Sequence, residues 1–117
     1  MTTAPADCIF CKIVRKEIPA TVVHEDSRIL AFEDIRPQAP VHLLVIPKRH
    51  VTNLNDLTDA DADLVGAMAL VGARLARERG VAESGYRFLT NVNRDGGQVV
   101  FHLHFHVIGG RRLGPMA

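Results

Sequence analysis

The chain has no tryptophan and only two cysteines among its 117 residues. It also has no apolar run of about 20 residues, so no segment is expected to span a bilayer as a helix. Its charge is nearly balanced, at +1 with histidine neutral. No basic cluster interleaves with aromatics, which argues against nucleic-acid recognition by a charged face. Residues 1–7 lack the basic and apolar regions of a signal peptide, so the cytoplasm is the default expectation. Repeats, low-complexity tracts and linkers are missing too. What remains is 47% hydrophobic and 23% charged, enough to bury a core, and residues 1–117 read as a single domain.

The most informative run lies near the C-terminus: His102-Leu103-His104-Phe105-His106-Val107-Ile108. On a strand, residues two apart share a face. Leu103, Phe105 and Val107 would then enter the core, and His102, His104 and His106 would stand in a row about 7 Å apart. The outer pair would be roughly 13 Å apart, too far for one metal to hold all three. Such a row suggests a metal, a nucleophile, or a division of both duties.

Cys8 and Cys11 form Cys-Ile-Phe-Cys. That spacing fits half a zinc site, a redox pair, or two unconnected thiols. A redox pair wants a strand before it, and none precedes this one.

Periodicity supplies the frame. Asp7 is placed to cap a short helix over residues 8–17, which Pro19 stops. Residues 21–25 and 28–33 read as a hairpin about Asp26-Ser27. Residues 36–40, with two prolines, form a loop, and residues 42–46 a third strand ended by Pro47. Thr58 and Asp61 make a capping box at the head of the one long helix. Leu64, Met68, Val71 and Leu75 repeat along it as one apolar stripe, either core or subunit contact. Gly80 ends it. Residues 86–92 read as a fourth strand, Asp95-Gly96-Gly97 as a turn, and residues 99–108 as the last and longest strand. His24 reads as an exposed strand histidine. The expected fold is α+β: a five-stranded antiparallel sheet with one long helix and a short N-terminal helix.

The alternating histidine run resembles the histidine-triad family of nucleotide hydrolases and transferases. The segments Asp34-Ile35-Arg36-Pro37-Gln38-Ala39-Pro40-Val41-His42, Val45-Ile46-Pro47-Lys48 and Asp95-Gly96-Gly97-Gln98 look like its nucleotide-binding Hint branch. So do Cys8-Ile9-Phe10 and Lys12-Ile13, in the bacterial form with Cys-x-x-Cys. The likeness covers residues 7–116. It implies a homodimer in which the long helix and the fourth strand pair about a two-fold axis, giving one ten-stranded sheet.

The resemblance also implies a reaction: transfer of a nucleotidyl group to a histidine, then hydrolysis. Its substrates would be purine nucleoside phosphoramidates or acyl-nucleotides, and its product a nucleoside monophosphate. His104 would be the nucleophile, with its Nδ1 proton on the His102 carbonyl. His106 and His42 would flank the phosphate, and Asn91 and Gln98 would donate to phosphate or ribose. Gly96 and Gly97 would allow close backbone approach, with Val99 and Val100 beside them. Asp34 would bind the ribose hydroxyls, although a loop-capping aspartate is the plainer reading of the residue alone. Ile9, Phe10, Ile13, Phe32 and Ile35 would form the purine slot, although each reads as ordinary core without the family match. Val99 departs from the pattern, since many members carry serine or threonine there and valine neither donates nor accepts.

Cys8, Cys11, His50 and His102 would make the Cys2His2 set of a structural zinc site, as in some bacterial members. Three alternatives predict different behaviour. A metallo-hydrolase with zinc at His104 and His106 would lose turnover on chelation. A dinucleoside polyphosphate hydrolase of the same family would prefer that substrate. A non-catalytic nucleotide-binding scaffold would bind without turnover.

Overall fold

A computed structural model describes residues 6–116 of the chain. Residues 1–5, part of the segment read for a signal peptide, lie outside the described residues.

The expected α+β architecture is present. A short helix α1 (Ile9–Val14) precedes strands β1 (Val22–Glu25), β2 (Ile29–Glu33) and β3 (Val41–Pro47). The long helix α2 (Ala62–Glu78) follows, then β4 (Tyr86–Leu89) and β5 (Phe105–Gly109). The strands form one antiparallel sheet in the order β1-β2-β3-β5-β4.

Alternation along the strands divides the interior in two. Ile29, Ala31, Leu43, Val45, Phe105 and Val107 face α2, where Leu64, Met68, Val71 and Leu75 meet them. Leu30, Phe32, Leu44 and Ile46 face the other way and pack with Phe10 and Ile13 of α1. The central β3 is buried along its whole length, which is why its sequence is nearly continuously apolar. Gly72 lets α2 lie close on the sheet: a Cβ there would sit 2.6 Å from the Phe88 ring.

Several expectations need correcting. Helix α1 ends at Val14, and its cap is Cys8 rather than Asp7, because the Cys8 sulfur accepts from the Cys11 amide. The capping box forms, with Thr58 N donating to Asp61 at 2.9 Å, but it caps a 3-10 turn that leads into α2. Of the two readings left open for the apolar stripe of α2, core holds: the chain's own sheet covers it. His24 is not a plain exposed histidine. It bridges Asp26 at 2.7 Å and Arg74 of α2 at 2.6 Å.

The largest correction concerns the histidine run. Strand β4 stops at Leu89 and β5 starts at Phe105, so residues 99–104 and 90–92 lie outside the ladder. The reason is competition for their backbone groups. Leu103 N donates to Val51 O at 2.6 Å, the Val100 carbonyl accepts from the Gln98 side chain, and the His104 carbonyl accepts from Thr90 Oγ1. The alternation survives without the strand: Leu103, Phe105 and Val107 all enter the α2-side core.

Candidate active site

Strands β3 and β5 bring the first two imidazoles together. Leu44 pairs with His106 and His42 with Ile108, so His42 and His106 are diagonal neighbours on the face that carries Leu44 and Ile46. His42 Nε2 lies 2.9 Å from His106 Nδ1. His104 follows from the irregular segment, its ring centroid 5.0 Å from that of His106. Phe10 of α1 packs edge-on against it at 5.2 Å.

Backbone partners fix which nitrogen of each ring carries the proton. His104 Nδ1 lies 2.7 Å from the His102 carbonyl, so Nδ1 is protonated and Nε2 is bare. The Gln38 amide donates to His42 Nδ1 at 2.9 Å, which leaves the His42 proton on Nε2. That proton points at His106 Nδ1, so His106 carries its own on Nε2. His102 donates from Nε2 to the Pro47 carbonyl at 2.8 Å, leaving Nδ1 bare.

Burial keeps these rings neutral. It lowers the pKa of His104 and His42 against the opposing pull of Asp34. His106 is pushed down to about 4 by burial, with further contributions from His104 and His42. His102 is also pushed to about 4, chiefly by burial. A neutral imidazole with a bare Nε2 is a nucleophile near pH 7, and a neutral one with Nε2–H is a hydrogen-bond donor.

The bare Nδ1 of His102 faces a second group. It lies 3.4 Å from Cys8 Sγ and 3.5 Å from Cys11 Sγ, and His50 Nδ1 lies 3.3 Å from Cys11 Sγ. The four donor atoms all fall within 4.8 Å of one another. A tetrahedron with ordinary Zn–S and Zn–N lengths has S···N edges of roughly 3.5 Å, so the set fits zinc. Burial, then the bond from Cys8, pushes the Cys11 thiol up to about 12. A cation among these donors reverses that preference and holds thiolates.

Asp34, His42 and His106 also converge within 4.8 Å. Their chemistry differs, because the Gln38 amide already occupies His42 Nδ1 and keeps the proton on Nε2, where a metal would need a lone pair. His42 Nε2 instead donates to His106 Nδ1 at 2.9 Å, and Asp34 Oδ2 lies 3.4 Å from the same nitrogen.

The remaining candidates are spread unevenly around this centre. Phe10, Ile13 and Phe32 are buried together, with Val100 packed against them, while Ile9 and Ile35 are exposed. Asp34 Oδ1 accepts from the Arg36 amide at 2.8 Å, the loop-capping geometry, and its other oxygen faces His42. Gly97 takes a left-handed φ of 84° at the end of the turn, where glycine is needed. Gly96 ends the 3-10 turn before it, Asn91 is half-buried, and Val99 is 85% exposed.

Gln98 is 6% exposed, and its amide is fully engaged inside the chain. Nε2 donates to Thr52 O and Val100 O, and Oε1 accepts from Asn53 Nδ2 and Asn93 N. Its side chain therefore braces the loop and has no donor left for phosphate or ribose. Sequence reasoning missed its partner Asn53, a lone polar residue in a loop that is only 3% exposed. It missed Thr90, and it missed Arg111, whose guanidinium holds the Gln38 carbonyl at 2.7 Å. No residue spacing marks these three; only the fold brings them to the site.

Comparison with known proteins agrees with this geometry. A family model described as HIT domain matches residues 15–113. A purine nucleoside phosphoramidase from Escherichia coli K12 is 47% identical over 110 residues, covering 94% of this chain and 92% of its own. A HIT family hydrolase from Legionella pneumophila superposes with a TM-score of 0.90 at 53% identity, over 92% of this chain and 96% of its own. A histidine triad protein from Clostridium difficile gives 0.92 at 44% identity, over 98% and 100%.

Proposed function

The chain belongs to the HIT family, and we propose that it is a purine nucleoside phosphoramidase-type hydrolase that works through a nucleotidyl-histidine intermediate. The observation that carries this reading is the fixed tautomer of His104, with Nδ1–H on the His102 carbonyl at 2.7 Å and Nε2 bare. Nε2 attacks the α-phosphorus of a nucleoside phosphoramidate or acyl-nucleotide. The P–N or P–O bond to the leaving group breaks, and the nucleotide is left on His104. The positive charge that the ring then carries is stabilised by the His102 carbonyl. Water attacks the same phosphorus and releases the nucleoside monophosphate.

His106 presents Nε2–H as a hydrogen-bond donor to the phosphate and the leaving group, its ring held in that tautomer by His42, and the departing amine takes its proton from solvent water. Asp34 and the apolar residues around Phe10 would hold ribose and purine. Exposed Val99 offers no hydroxyl to the leaving group, so this chain relies on His106 and backbone there.

Cys8, Cys11, His50 and His102 would hold zinc, which supplies a closed structural crosslink and no open position for chemistry. The thiols require a reducing compartment, which favours the cytoplasm. The homodimer reading draws support from β4, an edge strand, and from the small outward face of α2, where Gly66, Ala69 and Leu70 are exposed. The test is turnover of adenosine phosphoramidate. Wild type should turn over and His104→Ala should lose almost all rate; retention of most activity by the variant would falsify nucleophilic catalysis there.

A further inference from the structure

We infer that Thr90 is a positioning residue for the nucleophile: its hydroxyl holds the His104 main chain at the point where the sheet has let go of it. The inference rests on the reading of His104 as nucleophile, which the His104→Ala rate tests separately.

The ladder between β4 and β5 ends at the pair Leu89–His106. One residue further along, Thr90 Oγ1 donates to the His104 carbonyl at 2.7 Å. The side chain thus supplies a donor just beyond the last ladder pair. Beyond the last β4–β5 pair, the His104 carbonyl takes its hydrogen bond from this side chain rather than from the ladder. His104 Nδ1 is tied to the His102 carbonyl at 2.7 Å, and Phe10 packs on its ring. The peptide that follows His104 leads into Phe105, which pairs with Val45 of β3. The Thr90 hydroxyl holds the carbonyl of that peptide from the β4 side, and so helps set the direction in which the chain delivers the ring toward the phosphate.

Threonine suits the role. Its branched Cβ restricts χ1, so the hydroxyl is preset rather than swinging among rotamers. Valine has the same shape without the donor. Serine keeps the donor with more rotational freedom. Thr90 itself does not touch the reacting atoms; it acts through His104.

The test is steady-state kinetics of the full-length protein on adenosine phosphoramidate, with AMP affinity and thermal midpoint measured for each variant. Thr90→Val should lower kcat roughly tenfold, about what one hydrogen bond contributes, with KM and AMP affinity changed less than about twofold. Thr90→Ser should recover most of kcat. Should Thr90→Val fail to fold, Thr90→Ser against Thr90→Ala gives the same comparison, and failure of both Val and Ala variants to fold makes the role purely structural and overturns the proposal. It is also overturned if Thr90→Val keeps kcat, if AMP affinity falls in step with kcat, or if serine does no better than valine.

Discussion

The main-chain oxygen of His102 takes the Nδ1 proton of His104 at 2.7 Å, while the imidazole of His102 turns the other way, its Nδ1 3.4 Å from Cys8 Sγ. One residue therefore belongs both to the four-donor group and to the triad. Whatever fixes the ring of His102 also fixes the carbonyl that orients the nucleophile. The purified protein should contain about one zinc per chain. Stripping it should lower kcat roughly tenfold or more while AMP affinity holds, since small misplacements of reacting groups are costly. Unchanged kcat in demonstrably metal-free protein would separate the two groups.

The pH profile follows from burial. A lowered histidine pKa favours the neutral ring, so the reactive form persists to lower pH. His104 is depressed, chiefly by burial, and His106 is held at about 4. The acid limb of kcat/KM should therefore lie below the ordinary histidine value of about 6.5, as one apparent value for the coupled cluster. Stability runs the other way. The unfolded chain binds protons as pH falls below about 6.5 while buried His106 does not, so stability declines from there toward the folded value of about 4. An acid limb at or above 6.5 in rapid assays contradicts the burial account.

Asn53 should matter for stability more than its loop position suggests. Its Nδ2 donates to Asn93 Oδ1 at 3.0 Å and to Gln98 Oε1 at 3.1 Å. It helps hold Asn93 at φ 60°, a conformation that asparagine adopts at some cost. Asn53→Ala should destabilise the protein by about 1–3 kcal/mol in urea unfolding. A change within about 0.5 kcal/mol, the usual effect of a surface substitution, contradicts that role.

The two faces of α2 should separate folding from association. Leu75 is 1% exposed and packs on the sheet, whereas Leu70 is 73% exposed. Leu75→Ala should cost about 2–5 kcal/mol of stability. Leu70→Glu should leave the protomer folded but convert a dimer to monomer in analytical ultracentrifugation. A Leu70→Glu protein that sediments as wild type does would remove this face from the interface.

The legible parts of the molecule were those with local signals. The stripe from Leu64 to Leu75 and the alternation through Leu103, Phe105 and Val107 survive in the structure, because burial selects for periodicity on both elements. Convergence of Cys8, Cys11, His50 and His102 was legible through resemblance, and the four atoms do meet. The end of β4 and the start of β5 were not. Residues 99–104 carry a strand-like pattern, yet Val51, Gln98 and Thr90 take their backbone groups; Val51 and Thr90 are distant in sequence, and Gln98 is a near neighbour whose side chain folds back. The Gln98 amide was misjudged for a related reason: only burial shows that all its hydrogen-bonding capacity is spent within the chain.

The most direct measurement is intact-protein mass after rapid acid-free quenching with excess adenosine phosphoramidate, followed by peptide mapping. The account predicts a transient mass increase of one adenylyl group, mapped to His104 and missing from His104→Ala. Turnover without any adduct, or an adduct mapped to another residue in wild-type protein, would contradict it.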